Sequence, residues 1–236
     1  MNNFDIEKIY NKYHLTEEEK REIDIIIKDI YSHTEFIKRC EKPFYHHDRV
    51  TLGQHIIEDA IMTYILSRKY KNKNNYDISI ALKIAMFHDL YTEPWQNNGY
   101  NTKFLNKHGF RHPLEAVINV INWYPQYFKN ERESRKIIDG ILHHMYPLPV
   151  DRFNDTNNNA ELINYDLIEN LTDEQKRILY LSTSRGKIGL VSLSKSKYLE
   201  GRVMSRADKK VSLGNYKGSK VGSIISLLNG KNKHLK

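Results

Sequence analysis

His88 and Asp89 stand side by side at the end of the apolar run Ile78 to Phe87 (ISIALKIAMF). A segment that apolar is buried on most of its sides, whichever regular structure it adopts. An imidazole and a carboxylate at the end of such a segment are costly unless a partner satisfies both. A divalent cation does so at once, because neutral histidine nitrogen and ionised carboxylate oxygen are ordinary metal ligands. For the pair taken alone, the plainer reading is a capped helix end with a local His–Asp hydrogen bond. Groups of the same chemistry recur, however: His55, His112, the pair His143 and His144, and Asp208. In order they spell H…HD…H…H…D, one ligand-type group per expected core helix and each near a helix end. Antiparallel packing brings such ends to a common centre, as in metal sites inside helical bundles.

The elements that must position these groups read as helices. Thr16-Glu-Glu-Glu19 is a capping box, followed by Ile23, Ile26, Ile27 and Ile30 at helical spacing. Thr51-Leu-Gly-Gln54 is a second box, opening a helix with Ile56, Ile57, Ala60, Ile61, Tyr64 and Ile65 on its apolar side. The polar stretch Lys71 to Asn75 is a loop before the buried segment that ends in His88-Asp89. Thr92 to Lys107 reads as a long loop, of a length that in compact domains usually serves a function. Pro113 marks a helix start just after His112, with Ala116, Val117, Val120 and Ile121 as its core face. A further helix runs from Glu131 to Met145 and is closed by Pro147-Leu-Pro149. Thr172-Asp-Glu-Gln175 caps a short helix, and the Ser-, Gly- and Lys-rich stretch Lys187 to Lys197 reads as an exposed connection. Two last helices are expected near Arg202 to Leu213 and Ser219 to Leu228. No sheet is expected, so the fold class is all-α, with the region 150–200 as an insertion.

Bulk properties narrow the classes. A length of 236 residues suits one domain with a sizeable core, or one domain and an appendage. Hydrophobic content of 39% against 28% charged residues is ordinary for a soluble globular chain, and no run of about 18 apolar residues would span a membrane. The start MNNFDIEKIYNKYH is not a signal peptide, so a cytoplasmic location is expected. The single cysteine, Cys40, excludes an internal disulfide framework and fits a reducing compartment. A formal charge of +8 favours anionic partners, but Lys209, Lys210, Lys217, Lys220, Lys231 and Lys233 concentrate the basic excess near the C-terminus. That end is either solvated or a contact for nucleic acid.

The segments FHDLYTEPW, HGFRHPLEAV, ILHHMYPLP and SRADKKVS resemble one bacterial branch of the HD-domain superfamily of metal-dependent phosphohydrolases. The resemblance spans roughly residues 45–215. It leaves 1–44 as an N-terminal helical extension and 216–236 as a basic C-terminal helix or tail. It implies an HD-domain-like helical bundle in which His55, His88, Asp89 and Asp208 hold one metal ion. Asp89 would bridge to a second ion, completed by His112 and His144. His144 is preferred to His143 because the matching motif places histidine directly before Met, and neighbours on a helix point about 100° apart. His143 is left as a group near the metal site or the substrate, or as an exposed residue. Two divalent ions about 4 Å apart would grip a phosphoryl group and generate hydroxide at neutral pH. Mixed His/Asp ligation suits iron, manganese, zinc or cobalt better than calcium.

The implied activity is hydrolysis of a phosphomonoester or phosphodiester, nucleotide-like in the reading favoured here. Many cyclic-dinucleotide-cleaving members carry a lysine shortly after the HD pair. His88-Asp-Leu-Tyr-Thr-Glu-Pro94 has none, so that activity is not supported. Lys209 beside Asp208 and Arg111 beside His112 would supply positive charge, His108 would serve as the acid, and Trp95 with Tyr91 would stack on a base. His46 and His47 would line the mouth of the site, or merely lead into the helix of His55. Two other classes fit the same ligands: an HD-type di-iron oxygenase, and a non-catalytic nucleic-acid-binding module with a structural metal site.

Overall fold

Six polar residues decide where helices begin. Asp5, Thr16, Thr51, Asp77, Asn130 and Thr172 each hand a side-chain oxygen to a backbone N–H that the first helical turn leaves free. In the computed structural model, which describes residues 5–47, 50–94, 108–153, 165–189 and 191–215, these starts open most of the longer helices. The order is α1 (Ile6–Lys12), α2 (Glu17–Tyr31), α3 (Thr34–Lys38), β1 (Tyr45–His47), β2 (Val50–Thr51), α4 (Leu52–Ser67), α5 (Ile78–Phe87) and α6 (His108–Trp123). Then come α7 (Glu131–Leu142), β3 (Val150–Asp151), α8 (Tyr165–Glu169), α9 (Asp173–Ser184), β4 (Lys187–Ile188), β5 (Val191–Ser192) and α10 (Leu199–Asn215). The fold is all-α in class.

Several expectations need correction. The boxes at Thr16–Glu19 and Thr172–Gln175 are reciprocal, but at Thr51 only half of one forms. There Thr51 accepts from the Gln54 N–H at 3.2 Å, while the Gln54 amide reaches one turn along the helix to Glu58 at 3.0 Å. Pro113 lies inside α6, not at its start. It has no N–H to give the Gly109 carbonyl one turn back, a loss that stays near the helix end. Short strands do occur: β1 pairs with β2, and a three-stranded sheet has the order β3-β5-β4. Within Lys187 to Lys197, β4 and β5 pair as a hairpin; the stretch is largely exposed as expected, but Ser192 and Ser196 are buried. Gly186 and Gly189 make that hairpin possible, with φ of 60° and 59°. Trp95, the loop from 95 to 107, the centre of the 150–200 segment, the helix expected at Ser219 to Leu228 and the basic tail lie outside the described residues.

The core forms around α4 and α5, which are apolar on nearly every side and are wrapped by other helices. Ile56, Ile57 and Ile61 of α4 meet Leu82, Ile84 and Phe87 of α5 and Ile137, Ile138 and Ile141 of α7 in one cluster. Each such side chain, fully buried, contributes about 1.5–3 kcal/mol. Ile23, Ile27 and Ile30 of α2 belong to the same cluster, so the N-terminal extension is part of the core. α10 packs against α4, α5 and α7. Two glycines let these helices approach. A Cβ on Gly201 of α10 would come within 2.7 Å of the Gly140 Cα, and one on Gly140 within 2.6 Å of the Ile84 side chain. Through this contact the C-terminal ends of α5 and α7 converge with α10. Among the described residues no helix is long and apolar enough to cross a membrane.

Candidate metal centre

Each helix delivers its group by a local rule. His55 sits in the first turn of α4, and His88 is the C-cap of α5 with Asp89 following. His112 lies in the second turn of α6, His144 follows the C-cap of α7, and Asp208 projects from the middle of α10. All are buried, from 0% exposure at His55 and His88 to 7% at Asp208. Three of the rings are held the same way. The Nδ1 atoms of His88, His112 and His144 bond to the carbonyls of Ala85, His108 and Ile141 at 2.7, 2.9 and 2.7 Å. With Nδ1 as the donor to its own helix, each ring presents the Nε2 lone pair to the cluster, the tautomer a metal ligand requires.

Asp89 sits between two groups of rings. Its Oδ2 faces His88 at 3.5 Å, His55 at 3.7 Å and His46 at 3.8 Å. Its Oδ1 faces His112 at 3.2 Å and His144 at 3.6 Å, and those two Nε2 atoms are 3.0 Å apart. Atoms sharing one ion at bonds of about 2.0–2.2 Å sit roughly 3–3.5 Å from one another, so separations of this size are compatible with metal binding. Asp208 Oδ1 is 3.7 Å from His55 and is steadied by the Ser212 hydroxyl at 3.1 Å.

Asp59 was not anticipated from the sequence. It lies one turn after His55 on α4 and is fully buried, with Oδ2 3.0 Å from His55 Nε2 and 3.3 Å from His88 Nε2. Yet neither Asp59 oxygen, nor either His55 nitrogen, nor His88 Nε2 is in a hydrogen bond. Buried carboxylates and imidazoles crowded this closely, with no well-formed hydrogen bond among them, are placed to hold a cation. His55, Asp59, His88 and Asp208 form one possible ligand group; His46, His55 and Asp89 form another, and His88, Asp89 and His144 a third. The signal for Asp59 was available in the i, i+4 spacing of His55 and Asp59 on one helix face. His46, stacked on His55 at 3.5 Å, belongs to the wall of the site.

Electrostatics follow from that crowding. Burial pulls the His88 imidazole down, but Asp89 and Asp59 outweigh it and push it up to about 10. Burial raises the Asp89 carboxyl, but His88, His112 and His144 together hold it well below its ordinary value. Burial and the neighbouring Asp59 push Asp208 up to about 6. Burial, His88 and His112 hold His144 well below the usual imidazole range. Three buried carboxylates thus compete for the positive charge of two histidines, a deficit that divalent cations would fill.

The remaining expected site residues fall elsewhere. His143 points toward α9 and the Ser194 segment, bonding to the Ser182 carbonyl at 3.2 Å and the Ser194 hydroxyl at 3.1 Å. These bonds tie it to α9 and to the Ser194 segment. Lys209 gives its ammonium to the Tyr146 carbonyl and to Ser205, tying α10 to the loop after α7. Arg111 is half-buried and acts on Asp151 of β3. His108 stacks on His112 at 4.6 Å, and burial and His112 push it down to about 3. It thus stands beside the cluster, against His112 and the Tyr91 ring.

Comparison with protein-family models, with curated proteins and with solved structures gives no match for this chain.

Proposed function

We propose that the protein is a metal-dependent phosphohydrolase with two adjoining cation sites, acting on a phosphomonoester or phosphodiester of nucleotide type. One observation carries this reading: the two oxygens of Asp89 divide between the His55/His88 pair and the His112/His144 pair. A carboxylate so placed would let the His55/His88 and His112/His144 pairs each hold a cation beside it. Two divalent ions bound there would supply Lewis-acid polarisation of a phosphoryl oxygen and a nucleophilic hydroxide at neutral pH.

The chain's own residues have three tasks. His55, His88, His112 and His144 hold neutral nitrogen lone pairs in place, three of them through Nδ1 bonds to backbone. Asp89 and Asp208 neutralise the ions, and the surrounding apolar helices exclude water, which strengthens every charge interaction inside. His46, at the edge and only partly buried, stands where a substrate would meet the cluster. The resemblance to HD-domain phosphohydrolases, with its ordered H…HD…H…H…D residues, supports the same conclusion from the sequence side.

The test is a phosphoester screen on protein loaded in turn with manganese, iron, cobalt and zinc, using nucleoside mono- and diphosphates, dinucleotides and p-nitrophenyl phosphate. The expected result is turnover of at least one substrate class that a chelator abolishes and metal restores. It should fall about a hundredfold or more in Asp89→Asn. Metal-loaded protein that turns over none of these, or turnover unchanged in Asp89→Asn, would contradict the proposal. Dioxygen consumption with an iron-loaded sample and no phosphate release would instead indicate the oxygenase class.

A further inference from the structure

We propose that Asp59 is itself a metal ligand, and that it makes the two cation sites unequal: one closed by the protein and slow to release its ion, the other open and exchangeable. This rests on the dinuclear reading above and adds a residue that the H…HD…H…H…D pattern does not contain. Asp59 is fully buried, and its Oδ2 lies 3.0 and 3.3 Å from His55 and His88 Nε2. The Asp59 oxygens and these two Nε2 atoms have no hydrogen-bond partner. A carboxylate present only to orient a histidine would accept an N–H from it, as backbone carbonyls do for His88, His112 and His144 in the same cluster. Asp59 Oδ2 instead stands within 3.0 and 3.3 Å of two imidazoles at once without a well-formed bond to either, placed to share a cation with His55, His88 and Asp208.

The two sites then differ in composition. Around the first stand His55, Asp59, His88 and Asp208, with Oδ2 of Asp89 at its edge, every one of them buried. Around the second, among the described residues, stand His112, His144 and Oδ1 of Asp89. Four protein ligands are typical of a retained structural ion, and three of a site that keeps positions open for water or substrate. Two carboxylates beyond the shared Asp89 also bind the first ion more strongly by charge alone. The first ion would stay through turnover, while the second would enter and leave and accept a phosphate oxygen in its open positions.

The experiment follows metal release from the full chain into an excess of a chromophoric chelator, with manganese, cobalt and zinc each loaded to saturation. Wild type should lose two ions in two phases of equal amplitude. His144→Ala should lack the fast phase and keep the slow one. In Asp59→Asn the slow phase should accelerate by more than about a hundredfold, beyond the tenfold to hundredfold effect of residues that only orient a ligand. Circular dichroism on each variant establishes that the helices remain, and a single-phase wild-type trace overturns the proposal even if a variant misfolds. Release of both wild-type ions in one phase, or an Asp59→Asn slow phase changed by a hundredfold or less, overturns the proposal while leaving a dinuclear site intact. A wild-type chain that holds no ion overturns the dinuclear reading as well.

Discussion

At the scale of single residues, a carboxylate can bridge only if its two oxygens have separate clients, and Asp89 meets that condition. Asp89→Asn preserves shape but turns one oxygen into an N–H donor facing histidine nitrogens, so both ions should weaken. His112→Ala should weaken only the second; isothermal titration with manganese on both variants separates the two cases. His88 adds a pH prediction. Its imidazole is raised from 6.5 to about 10 in the metal-free protein, chiefly because Asp89 and Asp59 outweigh the effect of burial. A group raised on folding stabilises the folded chain fully below its unfolded value and loses that contribution as pH rises through the folded one. Metal-free protein should therefore lose stability between about pH 6.5 and 10, a decline that bound metal removes by replacing the proton. Denaturant midpoints across that range, with and without manganese, check this, and parallel curves would contradict it. His88, Asp89 and the other histidines were legible in the sequence because costly groups stood against apolar runs. Asp59 was less so: its i, i+4 spacing from His55 was there to read, but beside Glu58 it looks like any polar step on a helix until its face is known.

Among the helices, precision at the cluster depends on how closely α5, α7 and α10 approach. Gly140 and Gly201 set that distance, and a side chain on either would displace the element that carries His144 or Asp208. Gly140→Val should destabilise the fold by about 1–3 kcal/mol through overpacking against Ile84, read as a lower urea midpoint. An unchanged midpoint would show that the contact is loose. A second brace acts at the end of α5. Arg39, buried and stacked on Trp123 at 4.5 Å, donates to the Tyr91 carbonyl at 3.0 Å through Nε, and its own carbonyl accepts from Gly53 at the start of α4 at 2.8 Å. It therefore ties the turn carrying His88-Asp89 to the turn carrying His55. Helix existence and several caps were readable from spacing and from Thr, Asp and Asn at the starts. The hairpin at Lys187 to Ile188 and Val191 to Ser192 was not. Its order comes from tertiary bonds, Ser196 and the Lys197 N–H both reaching Asp139 of α7 at 2.7 Å, which composition cannot reveal.

For the whole molecule, the cluster sits where α4, α5, α6, α7 and α10 meet, so loading it couples to folding. An ion that binds only the folded chain stabilises it by about 2.7 kcal/mol at a hundredfold excess over its Kd. Chelator should accordingly lower the melting temperature of the wild type by more than that of Asp89→Ala. The all-α class was legible from helical spacing along most of the chain. The place of the first forty-four residues was not, because only packing shows that Ile23, Ile27 and Ile30 share one core with α5. The most direct test of the central claim is metal content per chain, by elemental analysis of wild type and Asp89→Ala purified side by side without chelator and then saturated with manganese, iron or zinc. Two ions per wild-type chain, falling to one or none in the variant, is the result predicted. A wild-type chain that takes up no transition metal, or an Asp89→Ala chain that holds as much as wild type, would contradict it.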